Sequence, residues 1–355
     1  MQEIEKITEY LKNYDGPLIR IMEVCGSHTG AITKFGIREM LSDRIKLVSG
    51  PGCPVCVTPS AYIDRLIELA LEPDTCVVTF GDMMRVPGSR MSLSQAKGLG
   101  AKVRMVYSPM DVVALAKKDE SAMFVFAAVG FETTTPVYAL LMEQIINEKI
   151  ENIRFLTALK TMPEAIDYLC SNGAADGFLA PGHVCVITGW DTFSPYAEKY
   201  GNPFGVAGFM AQELLIAIYG IVKHINQPGV MNYYPSAVTK NGNELAREKV
   251  DRFFEKSDAV WRGMGEIKNS GLVLREEFGR YDMGSRELRE DIKINKGCRC
   301  GDVLMGKISP GECGLFGKVC NPGNPQGPCM VSMEGACFHS ASGFCYLNSE
   351  ANGNG

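Results

Sequence analysis

Short apolar runs alternate with amphipathic helical stretches through the first 240 residues, and few folds accept such a pattern. Strands are predicted at 18–24, 46–48, 76–80, 103–106, 123–129, 154–157, 177–179 and 204–207. Helices are predicted between them at 31–41, 61–71, 92–100, 110–117, 137–147, 163–171 and 211–224. This is the mark of α/β layers on mainly parallel sheets, whose ligand sites gather at the carboxyl ends of strands. Beyond 240 the pattern changes. Residues 243–259 read as helical, polar sequence follows to about Asn295, and the remainder is rich in Gly, Pro and Cys. Such a tail buries too little apolar surface to order itself, so it needs a staple.

The loops after the early strands carry the chemistry. Gly50-Pro-Gly-Cys-Pro-Val-Cys56 is too rich in Gly and Pro for helix or ladder, so Cys53 and Cys56 are expected on a tight turn. Cys25-Gly-Ser-His-Thr-Gly30 is a second loop of this kind. Cys25 falls at a helix start, where the dipole should lower its thiol pKa from about 8.5. His28, three residues on, could face the same way. Gly81-Asp-Met-Met-Arg85 places Asp82 just past a strand, and Gly130-Phe-Glu-Thr-Thr-Thr-Pro136 does the same with Glu132. A lone Cys-x-x-Cys also suits a zinc half-site, and the threonines suit a helix cap.

Pro51-Gly-Cys-Pro-Val-Cys-Val-Thr58 resembles Pro181-Gly-His-Val-Cys-Val-Ile-Thr188, and Val77-Val-Thr-Phe-Gly-Asp-Met83 resembles Gly205-Val-Ala-Gly-Phe-Met210. Two similar α/β lobes of one ancestry, facing across a cleft, are therefore expected. His183 then matches Cys53. The expected domains are 15–120, with Cys25 and Cys53/Cys56; 121–240, with Glu132 and His183; and 241–355, on which residues 1–14 could pack.

Thirteen cysteines are many for a chain without an export signal, and in a reducing cytoplasm they serve more often as metal ligands or redox groups than as disulfides. Cys76 and Cys170 lie in apolar or helical segments and read as small core residues. Seven cysteines lie in the tail: Cys298, Cys300, Cys313, Cys320, Cys329, Cys337 and Cys345. Their wide, irregular spacing fits an iron–sulfur site better than a zinc ribbon, with Cys313, Cys320 and Cys337 as the leading ligands. A net charge of −5 without a basic block argues against nucleic acid or an anionic membrane as partner. No apolar run reaches membrane-spanning length. No phosphate loop, dinucleotide fingerprint or serine nucleophile elbow occurs.

Taken together, these motifs resemble the hydrogenase maturation factor HypD family, nearly end to end. The likeness rests on Cys25-Gly-Ser-His28, Gly50-Pro-Gly-Cys-Pro-Val-Cys56, Gly81-Asp-Met83, Gly130-Phe-Glu-Thr-Thr134 and Pro181-Gly-His-Val184, and in the tail on Glu312-Cys313, Phe316-Gly-Lys-Val-Cys320, Cys329-Met-Val-Ser332 and Glu334-Gly-Ala-Cys337. The resemblance implies two α/β domains plus a smaller Cys-rich domain bearing a 4Fe–4S cluster. It also implies a cytoplasmic scaffold for the iron centre of nickel–iron hydrogenases, monomeric by itself. With a HypC-type chaperone it would hold iron while carbon monoxide and two cyanides are installed, the cyanides coming from HypE. Cys25 would ligate the iron of this Fe(CN)2CO unit. Cys53 and Cys56 would be a dithiol/disulfide pair, and His28, Asp82, Glu132 and His183 would shape the pocket. The family's tail runs from Glu-Gly-Ala-Cys into aromatic residues, where this chain reads Cys337-Phe-His-Ser-Ala-Ser-Gly-Phe-Cys345. Cys345 is therefore set aside and Cys300 taken as fourth cluster ligand. The reading is of a scaffold with redox capacity. A cluster-dependent thiol–disulfide reductase is the alternative, and a zinc-stapled protein the blander one.

Overall fold

The computed structural model describes residues 2–292 and 295–342. Cys345 lies outside the described residues. The eight expected strands form as β1 (Ile19–Glu23), β2 (Ile45–Ser49), β3 (Thr75–Thr79), β4 (Val103–Met105), β5 (Met123–Gly130), β6 (Ile153–Lys160), β7 (Gly177–Pro181) and β8 (Pro203–Ala207). Three more follow: β9 (Gly229–Asn232), β10 (Phe254–Trp261) and β11 (Gly265–Leu274). One sheet runs β2-β1-β7-β8-β9, parallel throughout. The other runs β10-β11-β6-β5-β3-β4, parallel from β6 to β4 with β10 and β11 antiparallel. Central β5, Met-Phe-Val-Phe-Ala-Ala-Val-Gly, is buried from Phe124 onward, as a strand covered on both faces must be.

The sheets do not divide the chain at residues 120 and 240. The helix Ser60–Leu71 carries the chain from β2 into the second sheet, and Met162–Ser171 carries it back to β7, which pairs with β1 through Ile21 and Gly177. Each sheet is thus assembled from distant segments. The motifs at 51–58 and 181–188 both follow strands of the first sheet, whereas those at 77–83 and 205–210 belong to different sheets. Their likeness does not mark two consecutive lobes.

Two further expectations are corrected. Among the described residues, the N-terminal helix Gln2–Lys12 packs chiefly on the helix Ala211–Lys223 rather than on the tail. Leu11 is fully buried there, Tyr10 meets Tyr219 edge-on at 5.2 Å, and Lys223 Nζ lies 4.1 Å above the Tyr10 ring. The helix expected over 243–259 covers only Glu244–Phe253, where the Asn243 side chain accepts the Ala246 amide at 3.0 Å. The chain then turns into β10, which alternates partly buried and exposed positions between its buried ends. That is a strand period, not a helical one.

The tail forms short helices, Cys300–Leu304 and Pro328–Val331, among irregular turns. It is not a separate body: Cys298, Cys300, Cys320, Cys329 and Cys337 belong to the same apolar core as Met22, Val24, Cys53 and Cys56. Among the described residues, no helix is long and apolar enough to cross a membrane.

Truncating Leu11 to Ala should cost about 2–4 kcal/mol in urea unfolding through the cavity it leaves. Labelling of the tail thiols in the native protein should stay unchanged, because the N-terminal helix braces the first sheet alone. Faster labelling would place that helix on the tail.

Candidate functional site

Each sheet has a point where successive connections leave in opposite directions, and ligand sites open at the carboxyl ends flanking such points. In the first sheet the flanking strands are β1, leading to Cys25, and β7, leading to His183. In the second they are β3, leading to Asp82, and β5, leading to Glu132. The topology therefore accounts for four of the expected site residues.

Cys25 takes an extended conformation (φ −148°, ψ 122°) as N-cap of the helix Gly26–Lys34. The Gly50–Cys56 loop docks against it: the Gly50 amide donates to Glu23 O at 2.7 Å and the Gly26 amide to Gly52 O at 3.0 Å. A Cβ on Gly52 would stand 2.2 Å from the Cys25 nitrogen, so no larger residue fits. Cys53 and Cys56 form a buried disulfide with Cα atoms 5.2 Å apart. Cys56 Sγ also lies 4.0 Å from Pro328 O, at the start of the helix that carries Cys329. The two loops and the tail therefore meet.

The expected low pKa for Cys25 is reversed. Burial pushes the thiol up to about 12, with Glu334 and Glu23 adding to the rise and the His28 and Ser27 amides only partly opposing it. The helix start is present, but loss of water outweighs it. His28 is fully buried, and its Nε2 donates to Ala207 O at 3.2 Å and Gly208 O at 3.1 Å. Nδ1 has no partner among the described residues, and burial lowers the pKa to about 4. Phe209 lies between the imidazoles, 4.0 Å from the His183 ring and 4.9 Å from His28. Burial lowers the His183 pKa too. Asp82 and Glu334 both keep exposed surface, yet crowding by protein raises both carboxyls, and Asp82 adds to the rise at Glu334. Glu132 accepts the Met162 amide at 2.8 Å through Oε1, while Oε2 has no partner among the described residues, and burial raises it to about 7.

Sequence reasoning missed three participants. Glu23 is fully buried in β1, takes the Thr29 hydroxyl at 2.7 Å and is raised by burial to about 7. A carboxylate inside an apolar strand was the available signal. Cys185 is fully buried and raised by burial, with Glu132 and Cys25 as the next contributors. Glu334 reaches the site because Gly26 has no side chain: a Cβ there would meet Glu334 Cβ at 2.4 Å.

The tail thiols gather beneath this loop. Cys298 and Cys300 sulfurs are 3.3 Å apart, and Cys300 and Cys329 hydrogen bond to Cys337, which lowers the Cys337 pKa. Cys320 senses Cys300, Cys298 and Cys313, and Cys313 is the more exposed member. Gly327 is their cradle, since a Cβ would meet both the Cys298 and Cys300 sulfurs within 2.7 Å. Buried Arg262 links loop and thiols: its amide donates to Val57 O at 2.8 Å, and its guanidinium pairs with Asp291 at 3.3 Å within the field of Cys300, Cys298 and Cys329. In kind and number these soft donors suit an iron–sulfur cluster. Among the described residues, no three His, Cys, Asp or Glu side chains stand ready-arranged around one metal ion.

The sequence model of the HypD family, described as the hydrogenase formation hypA family, matches residues 1–342. The chain belongs to this family. It is 40% identical over 336 residues to hydrogenase maturation factor HypD of Cupriavidus necator, covering 91% of this chain and 89% of that one. It is 42% identical over 332 residues to the Azotobacter vinelandii HypD, covering 90% and 87%. With Escherichia coli HypD it shares 40% over 350 residues, covering 95% and 93%.

The raised pKa of Glu132 makes stability depend on pH. Its folded value, about 7, exceeds the ordinary 4.5, so its contribution is complete below pH 4.5 and is lost as pH rises through 7. Glu132→Gln removes that dependence. Relative to the variant, the wild type should lose about 3 kcal/mol between pH 4.5 and pH 7 or a little above, measured by denaturant unfolding. A constant difference across the window would contradict the buried, uncompensated carboxylate.

Proposed function

We propose that this protein serves hydrogenase maturation as the scaffold on which the iron of a nickel–iron centre is held while carbon monoxide and two cyanides are added. In this reading iron is the cargo, Cys25 its ligand on this chain, and a HypC-type chaperone and HypE the partners, acting in the cytoplasm with the protein otherwise monomeric. The observation that carries it is the docking of Gly52 onto the Cys25 backbone, which joins the segment bearing a free thiol to the loop bearing the Cys53–Cys56 disulfide. A thiolate suits soft iron, and ligation would release the proton that burial holds on Cys25. Uptake of two electrons and two protons would open Cys53–Cys56 to the dithiol, a two-electron store within the same core. His28 would keep its proton on Nε2 toward Ala207 and Gly208, leaving Nδ1 as an acceptor, with His183 and Phe209 closing one wall. Asp82 and Glu132 would line the remainder.

Cys300, Cys313, Cys320 and Cys337 are the proposed holders of a 4Fe–4S cluster, with Cys298 and Cys329 as neighbours in the same thiol group. When bound, the cluster would supply one-electron chemistry beside the disulfide.

The alternative, a reductase acting on a separate disulfide substrate, is disfavoured by the burial of the pair: Cys53 is 3% exposed and Cys56 0%. Cys25→Ala should abolish iron retention in the complex with the HypC-type chaperone, with circular dichroism and brown colour unchanged. Undiminished iron in that variant would remove Cys25 from its role, and a colourless, zinc-loaded preparation would remove the cluster.

A further inference from the structure

A cavity of about 480 Å³ opens beyond the carboxyl ends of β5 and β6, against the helix Glu244–Phe253 and the start of β10. Its size is in the range of small-molecule sites, about 300–1,000 Å³. Cys25 is not among its walls. Glu132 is. Its Oε1 is engaged by the Met162 amide, but Oε2 is buried without a partner among the described residues. An acceptor of this kind is unfavourable unless a donor reaches it.

The same cavity carries the opposite deficit. Arg247 donates to Thr188 O at 3.0 Å and Arg275 to Asp251 O at 2.7 Å, both main-chain carbonyls. Neither guanidinium has a carboxylate partner among the described residues, although the neighbouring Lys256 is paired with Glu164. Both are half-buried walls of the cavity. Guanidinium forks match carboxylates in geometry as well as charge. The site thus lacks a donor at one position and an anion at another.

We propose that this cavity binds a small zwitterion of the free amino acid class, its ammonium group donating to Glu132 and its carboxylate held by Arg247 and Arg275. The bound ammonium removes the isolation of Glu132, and the carboxylate gives both guanidinium groups a counter-ion. Cys25, Cys53 and Cys56 are not walls of this cavity, which shares Glu132 with the proposed thiol site, and the inference does not depend on iron being the cargo there.

The test is saturation-transfer NMR on the full chain with the common L-amino acids, using acetate and methylammonium at equal concentration as single-charge controls. At least one amino acid should bind while neither control does. Glu132→Gln, Arg247→Gln and Arg275→Gln, each first shown to be folded by circular dichroism, should weaken binding by about tenfold or more. Arg247→Gln should leave iron retention with the HypC-type chaperone unchanged, which separates this site from the thiol site. The proposal is overturned if no amino acid binds, if acetate binds equally well, or if binding survives the folded variants.

Discussion

One main-chain hydrogen bond, from the Gly26 amide to the Gly52 carbonyl at 3.0 Å, joins the two loops on which everything else is built. It exists because β1 and β2 are parallel neighbours in register, Glu23 opposite Ser49, so that both loops leave the sheet side by side. It also requires Gly52, since any side chain there would strike the Cys25 backbone. The tail uses the same economy of space. Gly26 admits Glu334, Gly30 admits the His339 ring, and Gly327 admits the Cys298 and Cys300 sulfurs. Gly26 and Gly30 thus let irregular chain approach the sheet ends, while Gly327 lets the tail close on its own thiols, and both share one core with the disulfide.

Burial then decides the charge state of what has been gathered. Glu23, Glu132 and Cys25 are pushed upward and His28 downward, each mainly by loss of water. All four shifts favour the neutral form, so the metal-free site carries little fixed charge. In the proposed role, an arriving cation would meet groups able to release protons. Arg262 is the exception, a buried cation anchored to the Cys-x-x-Cys loop through Val57 and facing Cys300, Cys298 and Cys329 of the tail.

What could be read from sequence divides by range. The first eight strands follow from local apolar runs, and the short loops after them drew attention to Cys25, Cys53, Cys56, Asp82, Glu132 and His183 as candidates. Sheet partnership is not local: nothing in residues 18–24 states that they will pair with 177–179, and the contiguous domains expected from order along the chain are replaced by interleaved sheets. The hairpin of β10 and β11 was hidden because Phe254-Glu-Lys-Ser-Asp-Ala-Val-Trp261 follows a genuine helix without a Gly or Pro break. The pKa of Cys25 was misjudged because its position at a helix start is visible in sequence, whereas the burial that overrides it depends on the docked loop and on Glu334, some 300 residues away. Glu23, Cys185 and Arg262 gain their significance only from such contacts.

The account stands on the convergence of the Cys-x-x-Cys loop with the tail thiols, and mild oxidation of metal-free Cys53→Ser protein tests it most directly. Freed from its partner, Cys56 has Pro328 O at 4.0 Å from its sulfur, and Cys329 follows Pro328 in the chain within the same core. Peptide mapping should find Cys56 in an intramolecular disulfide with a tail cysteine, Cys329 foremost. Recovery of Cys56 as a free thiol, or only in intermolecular dimers, would contradict the shared core.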